Sequence, residues 1–306
     1  MDRLDHPSAR SRRISLGTWA LLAALGAIWG ASFLAIRTAL DEIPPLTSVA
    51  HRVVWAALAL WLVALWRGLR APCDLRLWAA YLAMGLLNNV IPFSLMAWGQ
   101  LHIETGLTAI LNAGTAIWGV LAAALFFAEE RLTALRALGV SVGFVGVILA
   151  TGFENLTAFD PRALAQLAVL AAGVSYALAG VWARARLGGA PPLVNAAGML
   201  TASAAVALPL SMAVEGPPRL ALQSETWAAI AYYALVSTAL AYVLYYRILA
   251  AAGPAVLLVV TLISPPIAVA LGAAVRAEAL PIDAFVGFGV LAVGLGLLGA
   301  ESKRAP

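Results

Sequence analysis

The chain of 306 residues contains very little charge. Only 11% of its residues are Asp, Glu, Lys or Arg, while 63% are hydrophobic, whereas soluble domains carry about a quarter charged residues. A soluble protein so poor in charge could not cover its surface with polar groups. The hydrocarbon of a bilayer, by contrast, accepts an apolar surface. The composition therefore excludes a soluble fold and predicts an integral membrane protein.

Cysteine and histidine are almost missing as well. Cys73 is the only cysteine, which excludes an internal disulfide and a thiolate metal site. His6, His51 and His102 are widely separated, so we expect no metal and no cofactor. The 19 basic residues are dispersed along the chain, whereas nucleic-acid binding gathers them on one face. We therefore expect no nucleic-acid partner.

Long apolar segments make up most of the chain. A helix needs about 20 residues to cross the hydrocarbon core, and segments of this length alternate with turns rich in Pro and Gly. Strands of a membrane barrel would be about half as long, so the pattern predicts an all-α fold with ten transmembrane helices. The predicted spans are residues 17–39, 46–66, 77–98, 106–127, 134–152, 163–183, 193–214, 226–246, 254–275 and 282–300.

The basic residues favour one orientation. If residues 1–16 form a cytoplasmic tail, 14 of the 19 Lys and Arg residues lie in cytoplasmic loops or tails, as the positive-inside rule requires. This bias predicts that both termini are cytoplasmic and that the number of spans is even. The arginines before Leu16 are similar to those of a signal peptide, but the apolar run that follows is too long for one. We expect the first span to be retained.

A set of residues that recurs at a nearly constant spacing along the chain indicates an internal duplication. Glu130, Leu132, Gly139 and Gly146 recur 148 residues later, and Trp78-Ala79-Ala80 recurs 149 residues later. Each half contains five spans, an odd number, so the second half must enter the membrane from the opposite side. The sequence therefore predicts two inverted five-helix repeats around a central cavity, an arrangement typical of secondary transporters. The predicted repeats are residues 17–152 and 163–301, joined by a linker at 153–162.

Several motifs carry a resemblance to a known family. The first span reads Trp29-Gly-Ala-Ser-Phe-Leu-Ala-Ile-Arg37, Arg52 lies in the second span, and Asn88-Asn-Val-Ile-Pro-Phe93 lies in the third. These motifs resemble the EamA-type branch of the drug/metabolite transporter superfamily. The resemblance implies ten spans, a cavity lined mainly by spans 1, 3, 4, 6, 8 and 9, and export or exchange of metabolites, amino acids among them. The sequence departs from the family pattern at Arg276-Ala277-Glu278, since a small residue or glycine usually precedes the glutamate in the family. The resemblance therefore says less about Glu278 than about Glu130.

Polar and aromatic side chains inside the spans are the candidate substrate site. Without water, a polar group in a span must find a partner or face a cavity. Aromatic faces can stack on a solute that has an apolar body, and the missing amides at Pro265-Pro266 would free carbonyl groups in span 9. The predicted cavity residues are Trp29, Asn88, Asn89, Trp98, Asn112, Thr115, Trp118, Ser175, Tyr176, Trp182, Thr238, Tyr242, Tyr245, Thr261 and Ser264.

The same residue types also have a structural interpretation, which the sequence leaves open. Asn, Ser and Thr in spans form interhelical hydrogen bonds worth about 0.6 kcal/mol, small-residue ladders let helices approach closely, and Trp and Tyr mark the membrane interface. The ladders Gly139–Gly143 and Gly287–Gly294 predict close packing of spans 5 and 10, either as a static flank or as a dimer contact.

Four further residues are predicted gate or helix-end elements. They lie near span ends or at a helix interruption, and for the arginine among them we expect snorkelling or a simple ion pair with Asp41 or Glu42. They are Arg52, Glu130, Pro265 and Glu278.

Together these features predict a secondary transporter of the bacterial cytoplasmic (inner) membrane. It would export or exchange small metabolites by alternating access, with aromatic or other apolar amino acids as the favoured substrates. Because no acid lies near the middle of a predicted span, we expect facilitative or exchange-like transport without strong proton coupling. An enzyme would need clustered acids and histidines, and we expect none. Its partners would be the small-molecule substrate and the lipid bilayer.

Two alternatives stay open at this point. A multidrug or cationic-compound exporter of the same fold would require a buried carboxylate, which the predicted spans do not supply. A receptor or scaffold without transport would explain the helices but not their duplication. The sequence leaves open whether the chain is a monomer or a homodimer.

Overall fold

A computed structural model describes residues 15–152 and 160–302, and the prediction of ten spans is confirmed within them. Most of the predicted tail, residues 1–16, and most of the predicted linker, residues 153–162, lie outside this part of the chain. The helices are α1 Leu16–Ala39, α2 Pro45–Trp66, α3 Leu75–Gly99, α4 Thr105–Phe126, α5 Ala134–Thr151, α6 Pro161–Arg186, α7 Pro192–Glu215, α8 Ser224–Ala252, α9 Pro254–Arg276 and α10 Ile282–Ser302.

Local sequence explains where these helices begin and end. Asp160 caps the start of α6 by accepting a hydrogen bond from the backbone N–H of Ala163, and Ser15 and Thr133 cap α1 and α5 in the same way. Proline occupies the first turn of α2, α6, α7 and α9, where its missing N–H leaves no helical bond unmade. Gly216 follows α7 with a φ of 87°, a conformation that glycine adopts without strain.

The two halves of the chain pack with matching neighbours. Helix α1 packs against α9 and α8, and the equivalent helix α6 packs against α4 and α3. Likewise α2 contacts α8 as α3 contacts α7, while the pairs α2–α7 and α5–α10 each join equivalent helices. Exchange of the halves therefore carries each of these contacts into another of them, as an inverted duplication requires.

Helices α5 and α10 meet along a line of glycines, which we call the glycine seam (Gly139, Gly143, Gly146, Gly287 and Gly294). A Cβ atom added at Gly146 would overlap the backbone nitrogen of Leu291, and one at Gly287 would overlap the backbone of Ala150. The two backbones are thus in direct contact, so the predicted close packing of these spans is confirmed. The contact lies within one chain and forms a flank of the bundle.

Since the number of spans is even, the start of α1 and the end of α10 lie on the same side of the bundle. We call this the terminus side, and we call the side where α1 ends and α10 begins the distal side. Asp41, Glu104, Glu215 and Glu278 lie at helix ends on the distal side, and Glu130 lies on the terminus side.

Candidate functional site

Two helices at the centre of the bundle contain a widened, π-helical turn. In α3 it covers Leu86–Val90, and in α8 it covers Tyr232–Leu240. The displacement of 148 residues that relates the halves carries the first segment into the second. Such turns accommodate an extra residue, shift the helical phase and are frequent at functional sites. Here they carry Asn88 and Asn89 in one half and Thr238 in the other.

Amide and hydroxyl groups join the two halves at mid-depth. The Asn88 side-chain nitrogen donates to the Tyr242 hydroxyl at 2.8 Å, and that hydroxyl lies 3.3 Å from Oδ1 of Asn89. Asn89 is fully buried and donates to the Ser203 hydroxyl of α7 at 2.9 Å. These bonds connect α3 with α7 and α8, so both repeats contribute to the same network.

Arg52 lies in the same region. Its Nε atom donates to Oγ1 of Thr238 at 2.8 Å, and its guanidinium carbon lies 3.8 Å from the centre of the Phe93 ring. Phe93 packs against Tyr176 of α6, with 6.5 Å between the ring centres. Arg52 is 9% exposed, so its side chain is buried between α2 and the neighbouring helices. The prediction that it snorkels to the membrane surface is therefore wrong.

The predicted ion pair of Arg52 with Asp41 or Glu42 is also wrong. Asp41 instead pairs with Arg37 at 2.6 Å and with Arg276 at 2.8 Å, and Glu42 bonds to the start of α8. In residues 15–152 and 160–302, no carboxylate lies within ion-pairing distance of the Arg52 guanidinium. The proximity of acidic residues along the sequence was misleading because both acids lie beyond the end of α1, at the distal surface.

These side chains form two layers. One layer contains Arg52, Phe93 and Thr238, and the other contains Asn88, Asn89 and Tyr242. Helix α3 runs towards the distal side and Phe93 follows Asn89 by four residues, while α8 runs towards the terminus side and Tyr242 follows Thr238 by four residues. The layer of Asn88, Asn89 and Tyr242 therefore lies one turn nearer the terminus side than the layer of Arg52. Arg52 lies seven residues into α2, which corresponds to a depth of about 10 Å from the distal side. We call the whole set the central polar cluster, and it consists of Arg52, Asn88, Asn89, Tyr176, Thr238 and Tyr242.

Several other predicted cavity residues bond to backbone carbonyl groups of neighbouring helices. Ser175 donates to the carbonyl of Leu87 at 2.7 Å, and Trp182 donates to that of Ala80 at 3.0 Å. Trp29 donates to the Ser237 carbonyl at 3.2 Å and lies 6.3 Å from the Tyr245 ring. The hydroxyl of Ser264 on α9 reaches the carbonyl of Gly26 at 3.2 Å. Thr261 and Pro265 lie on α9 beside Ser264. These contacts join helices around the central polar cluster.

Helix α4 contributes two polar atoms that lack partners. Oδ1 of Asn112 and Oγ1 of Thr115 are buried and form no hydrogen bond with any part of the chain that the structure describes. Asn112 follows Ala109 by three residues, and Ala109 packs with Met96 in an apolar group that also contacts Tyr176. Asn112 therefore faces the interior of the bundle, where a solute or water could bond to its oxygen.

Two of the predicted aromatic residues lie far from the central polar cluster and from the helix contacts that surround it. Trp98 is 37% exposed at the distal end of α3, where its ring lies 5.0 Å from that of His102. Trp118 packs edge-on against Phe144 of α5 and against Gly173 of α6, and it lines an apolar groove between α4, α5 and α6. Both residues occupy the periphery of the bundle.

Carboxylates close the distal side. Glu215 accepts hydrogen bonds from the backbone N–H groups of Leu46 and Thr47 at 2.8 and 2.7 Å, and Glu278 accepts one from Thr105 at 2.9 Å. Glu42 accepts one from Gln223 at 3.0 Å. Carboxylates stabilise helix N-termini, where N–H groups lack helical partners. Each of these acids, which we call the distal carboxylates (Glu42, Glu215 and Glu278), belongs to one half and caps a helix of the other.

The two sides of the bundle differ in packing density. In α4, every residue from Thr105 to Ala113 is buried except Asn112, while none from Trp118 to Phe126 is buried. In α8, residues 242–246 are half-buried. On the terminus side, Glu130 bonds to Arg136 at 3.1 Å and to Arg184 at 3.2 Å. In α4 and α8, the half on the distal side is therefore more deeply buried than the half on the terminus side.

Known proteins share this architecture. The model of the EamA-like transporter family matches residues 17–152 and 163–300. The uncharacterized inner membrane transporter YedA of Escherichia coli (strain K12) is 25% identical over 273 residues, or 88% of this chain and 86% of that protein. A probable terminal-alkyne amino-acid exporter of Streptantibioticus cattleyicolor is 30% identical over 150 residues, or 47% of this chain and 49% of the exporter.

A solved crystal structure with 20% sequence identity covers 94% of this chain and 98% of its own, with a TM-score of 0.67, and supports the fold. The family match extends over most of both halves, and the structure places polar groups from both halves at their common centre. The chain therefore belongs to the EamA-like transporter family.

Proposed function

We propose that this transporter exports or exchanges small metabolites, foremost amino acids, across the cytoplasmic membrane by alternating access. The observation that carries the proposal is the central polar cluster, where amide, hydroxyl and guanidinium groups of both halves lie beside the rings of Phe93 and Tyr176. A pocket with a few oriented polar groups and aromatic walls suits a small solute with a polar head and an apolar body. Inverted repeats place such sites at the midplane.

The packing of the two sides supports loading from the cytoplasm. The excess of Lys and Arg in the loops supports a cytoplasmic location of the terminus side. On the distal side of Arg52, the hydroxyl groups of Ser48 and Tyr233 lie 3.2 Å apart, and both residues are buried. Beyond them, Glu215 holds the start of α2. A solute would therefore reach the central polar cluster from the cytoplasmic side and leave after the distal carboxylates release their helices.

The charges at the site favour amino acids over cationic drugs. The carboxylates in the described ranges lie at helix ends or in loops, and the central polar cluster contains the cation Arg52. A cationic compound would meet an unpaired positive charge, which is repulsive in a medium of low dielectric constant. The name of the Streptantibioticus relative, an amino-acid exporter, supports the same substrate class. None of the carboxylates in the described ranges lies near the middle of a span, which also supports facilitative or exchange-like transport.

A growth and uptake screen tests the proposal. Cells that express the protein would be challenged with toxic amino-acid analogues, and efflux of labelled amino acids would be measured for the wild type and Tyr242→Phe. This substitution removes the hydroxyl that joins Asn88 and Asn89, so we expect efflux to fall about tenfold, the effect of one good hydrogen bond to the solute or its ligands.

Tyr246→Phe is the matched control, because Tyr246 packs against Tyr242 with 6.4 Å between the rings but lies outside the hydrogen-bond network. We expect it to retain wild-type efflux. Resistance and efflux that are the same with and without expression of the wild-type protein would contradict the proposed function.

A further inference from the structure

Arg52 differs from the arginines at the helix ends. Arg37, Arg162, Arg184 and Arg276 each pair with a carboxylate at 2.6–2.8 Å. Arg52 is 9% exposed and lacks such a partner among the residues that the structure describes. A charged group inside a membrane span is unfavourable unless it is paired, and intramembrane charges are therefore typically functional.

The hydrogen bonds of Arg52 are incomplete in a specific way. A guanidinium group carries five N–H donors, and here only Nε–H is used, in the bond to Thr238. Neither terminal nitrogen bonds to a residue in the described ranges, and neither is among the buried polar atoms without partners. Both terminal nitrogens therefore retain accessible surface and four unused donors.

The surroundings of Arg52 fix the direction in which these donors are available. The bond from Nε to Thr238 and the Phe93 ring, 3.8 Å from the guanidinium carbon, hold one edge and one face of the planar group. The free edge carries the two terminal nitrogens, and its geometry matches the two oxygens of a carboxylate. A preorganised guanidinium loses little entropy when it binds such a partner.

We propose that Arg52 binds the carboxylate of the transported solute, so that the substrates are amino acids or other small carboxylates and not amines. This inference rests on the proposed transport function and names the charge that its site selects. The amide oxygen of Asn88 and the Tyr242 hydroxyl, one turn nearer the terminus side, bind the donor groups of the same solute, and the buried Asn89 holds both side chains in place. The rings of Phe93 and Tyr176 contact its apolar part.

A structural role for Arg52 makes a different prediction. If Arg52 served only to join α2 to α8 through Thr238, then Thr238→Val would have the same effect as removal of the cation. If Arg52 binds the solute, Thr238→Val loosens the orientation of the guanidinium but keeps the cation, and thus keeps most of the preference for carboxylates. The comparison of these two variants separates the two roles.

The experiment measures ligand-induced thermal stabilisation of the purified full chain and proteoliposome counterflow. The probes are alanine, leucine and phenylalanine, each paired with its amide, which lacks the carboxylate. For the wild type, we expect the acids to raise the melting temperature and to compete in counterflow, and the amides to be about tenfold to a hundredfold weaker, as expected for a lost charged hydrogen-bond pair. Arg52→Gln should abolish this preference, Arg52→Lys should retain part of it, and Thr238→Val, which keeps the cation but removes its bond to the threonine, should retain most of it.

Equal binding of acids and amides by a wild-type protein that transports them would overturn the inference but leave the proposed function intact. Preserved preference in Arg52→Gln, or a loss in Thr238→Val as complete as that expected for Arg52→Gln, would do the same. If Arg52→Gln does not fold, Arg52→Lys decides, because an unchanged ratio of acid to amide affinity in that variant overturns the inference. Wild-type protein that neither binds nor moves any of the probes contradicts the proposed function itself.

Discussion

Two of the interfaces between the halves of the chain are held together by different kinds of contact. In the glycine seam, the backbones of α5 and α10 are in direct contact at Gly146 and Gly287. In the central polar cluster, the halves meet through side-chain hydrogen bonds, such as those from Arg52 to Thr238 and from Asn88 to Tyr242. Close-packed backbones cannot slide without overlap, whereas hydrogen bonds can be exchanged for bonds to a solute or water. The comparison indicates a fixed flank and a movable centre.

The largest effect is expected in the glycine seam. Gly146→Leu places a side chain against the backbone of Leu291, and such overpacking destabilises a core by about 3 kcal/mol or more. We expect almost no monodisperse protein after detergent extraction, measured by fluorescence size-exclusion chromatography. Gly289→Leu on α10 is the control, since open space surrounds Gly289. Normal yield of Gly146→Leu would show that the seam is not fixed and would break the comparison.

The next effect separates folding from transport in the central polar cluster. Asn89→Leu keeps the volume but removes the bonds to Ser203 and Tyr242, while Ser203 retains its bond to the Met199 carbonyl. We therefore expect a loss of about 1–3 kcal/mol in stability with a folded product, and a loss of efflux of at least tenfold. Ser94→Ala on the same helix is the control, because the Ser94 hydroxyl is buried without a partner in the described structure. Full efflux by Asn89→Leu would show that the network only joins helices.

A smaller effect is expected at the distal carboxylates, which release their helices in the proposed alternating-access cycle. Glu278→Gln removes the charge that caps α4, which is worth about 1 kcal/mol and would raise the distal-open population about fivefold. Labelling of a Ser48→Cys reporter, in a Cys73→Ser background, by a membrane-impermeant maleimide measures this population, since Ser48 is 3% exposed.

Glu225→Gln is the control for this measurement, because Glu225 is exposed in the first turn of α8 and lies on the same distal face. We expect its labelling rate to match that of the unsubstituted reporter. An unchanged rate in Glu278→Gln would show that the distal carboxylates stabilise individual helices without controlling access to the centre.

The smallest effect concerns the distal ion pairs of Asp41, which belong to neither interface. Burial alone would raise the pKa of Asp41, but the hydrogen bond from Arg276 and the nearby Arg37 outweigh it and lower the pKa below 3.8. A carboxyl group with a lowered folded-state pKa stabilises the protein above its unfolded-state value, and this contribution is lost as the pH falls. We expect Asp41→Asn to melt slightly earlier than the wild type at pH 7. The difference should begin to shrink below about pH 4, near the unfolded-state pKa, and should vanish once the pH is below the folded-state pKa. A difference that does not change with pH would assign it to lost hydrogen bonds alone.

The sequence predicted the spans well because hydrocarbon length and hydropathy are local properties. The second predicted span, 46–66, differs from α2 by one residue at its start. The eighth, 226–246, was too short, since α8 continues to Ala252 beyond Arg247. A helix that leaves the hydrocarbon keeps its backbone hydrogen bonds, so the arginine marks the membrane boundary and not the helix end. The glycine spacing likewise predicted the packing of α5 and α10.

The arrangement of the candidate site was harder to predict because it depends on contacts between distant residues. Periodicity assumes a constant turn, but the π-helical turn at Leu86–Val90 shifts the phase of α3, and Trp98 consequently lies on the exposed face. The partner of Arg52 is Thr238, which lies 186 residues away. One signal in the sequence did point to Arg52, namely its position seven residues inside an apolar span, which is unusual for an arginine.

The distal carboxylates also impose an order on biosynthesis. Helices α2 and α4 are inserted early, but the acids that cap them, Glu215 and Glu278, are synthesised much later. Until then, the first turns of both helices expose N–H groups whose native acceptors do not yet exist. The first five helices therefore leave the ribosome as an incomplete folding unit, and a chain truncated before Glu215 would present both open helix ends to membrane quality control.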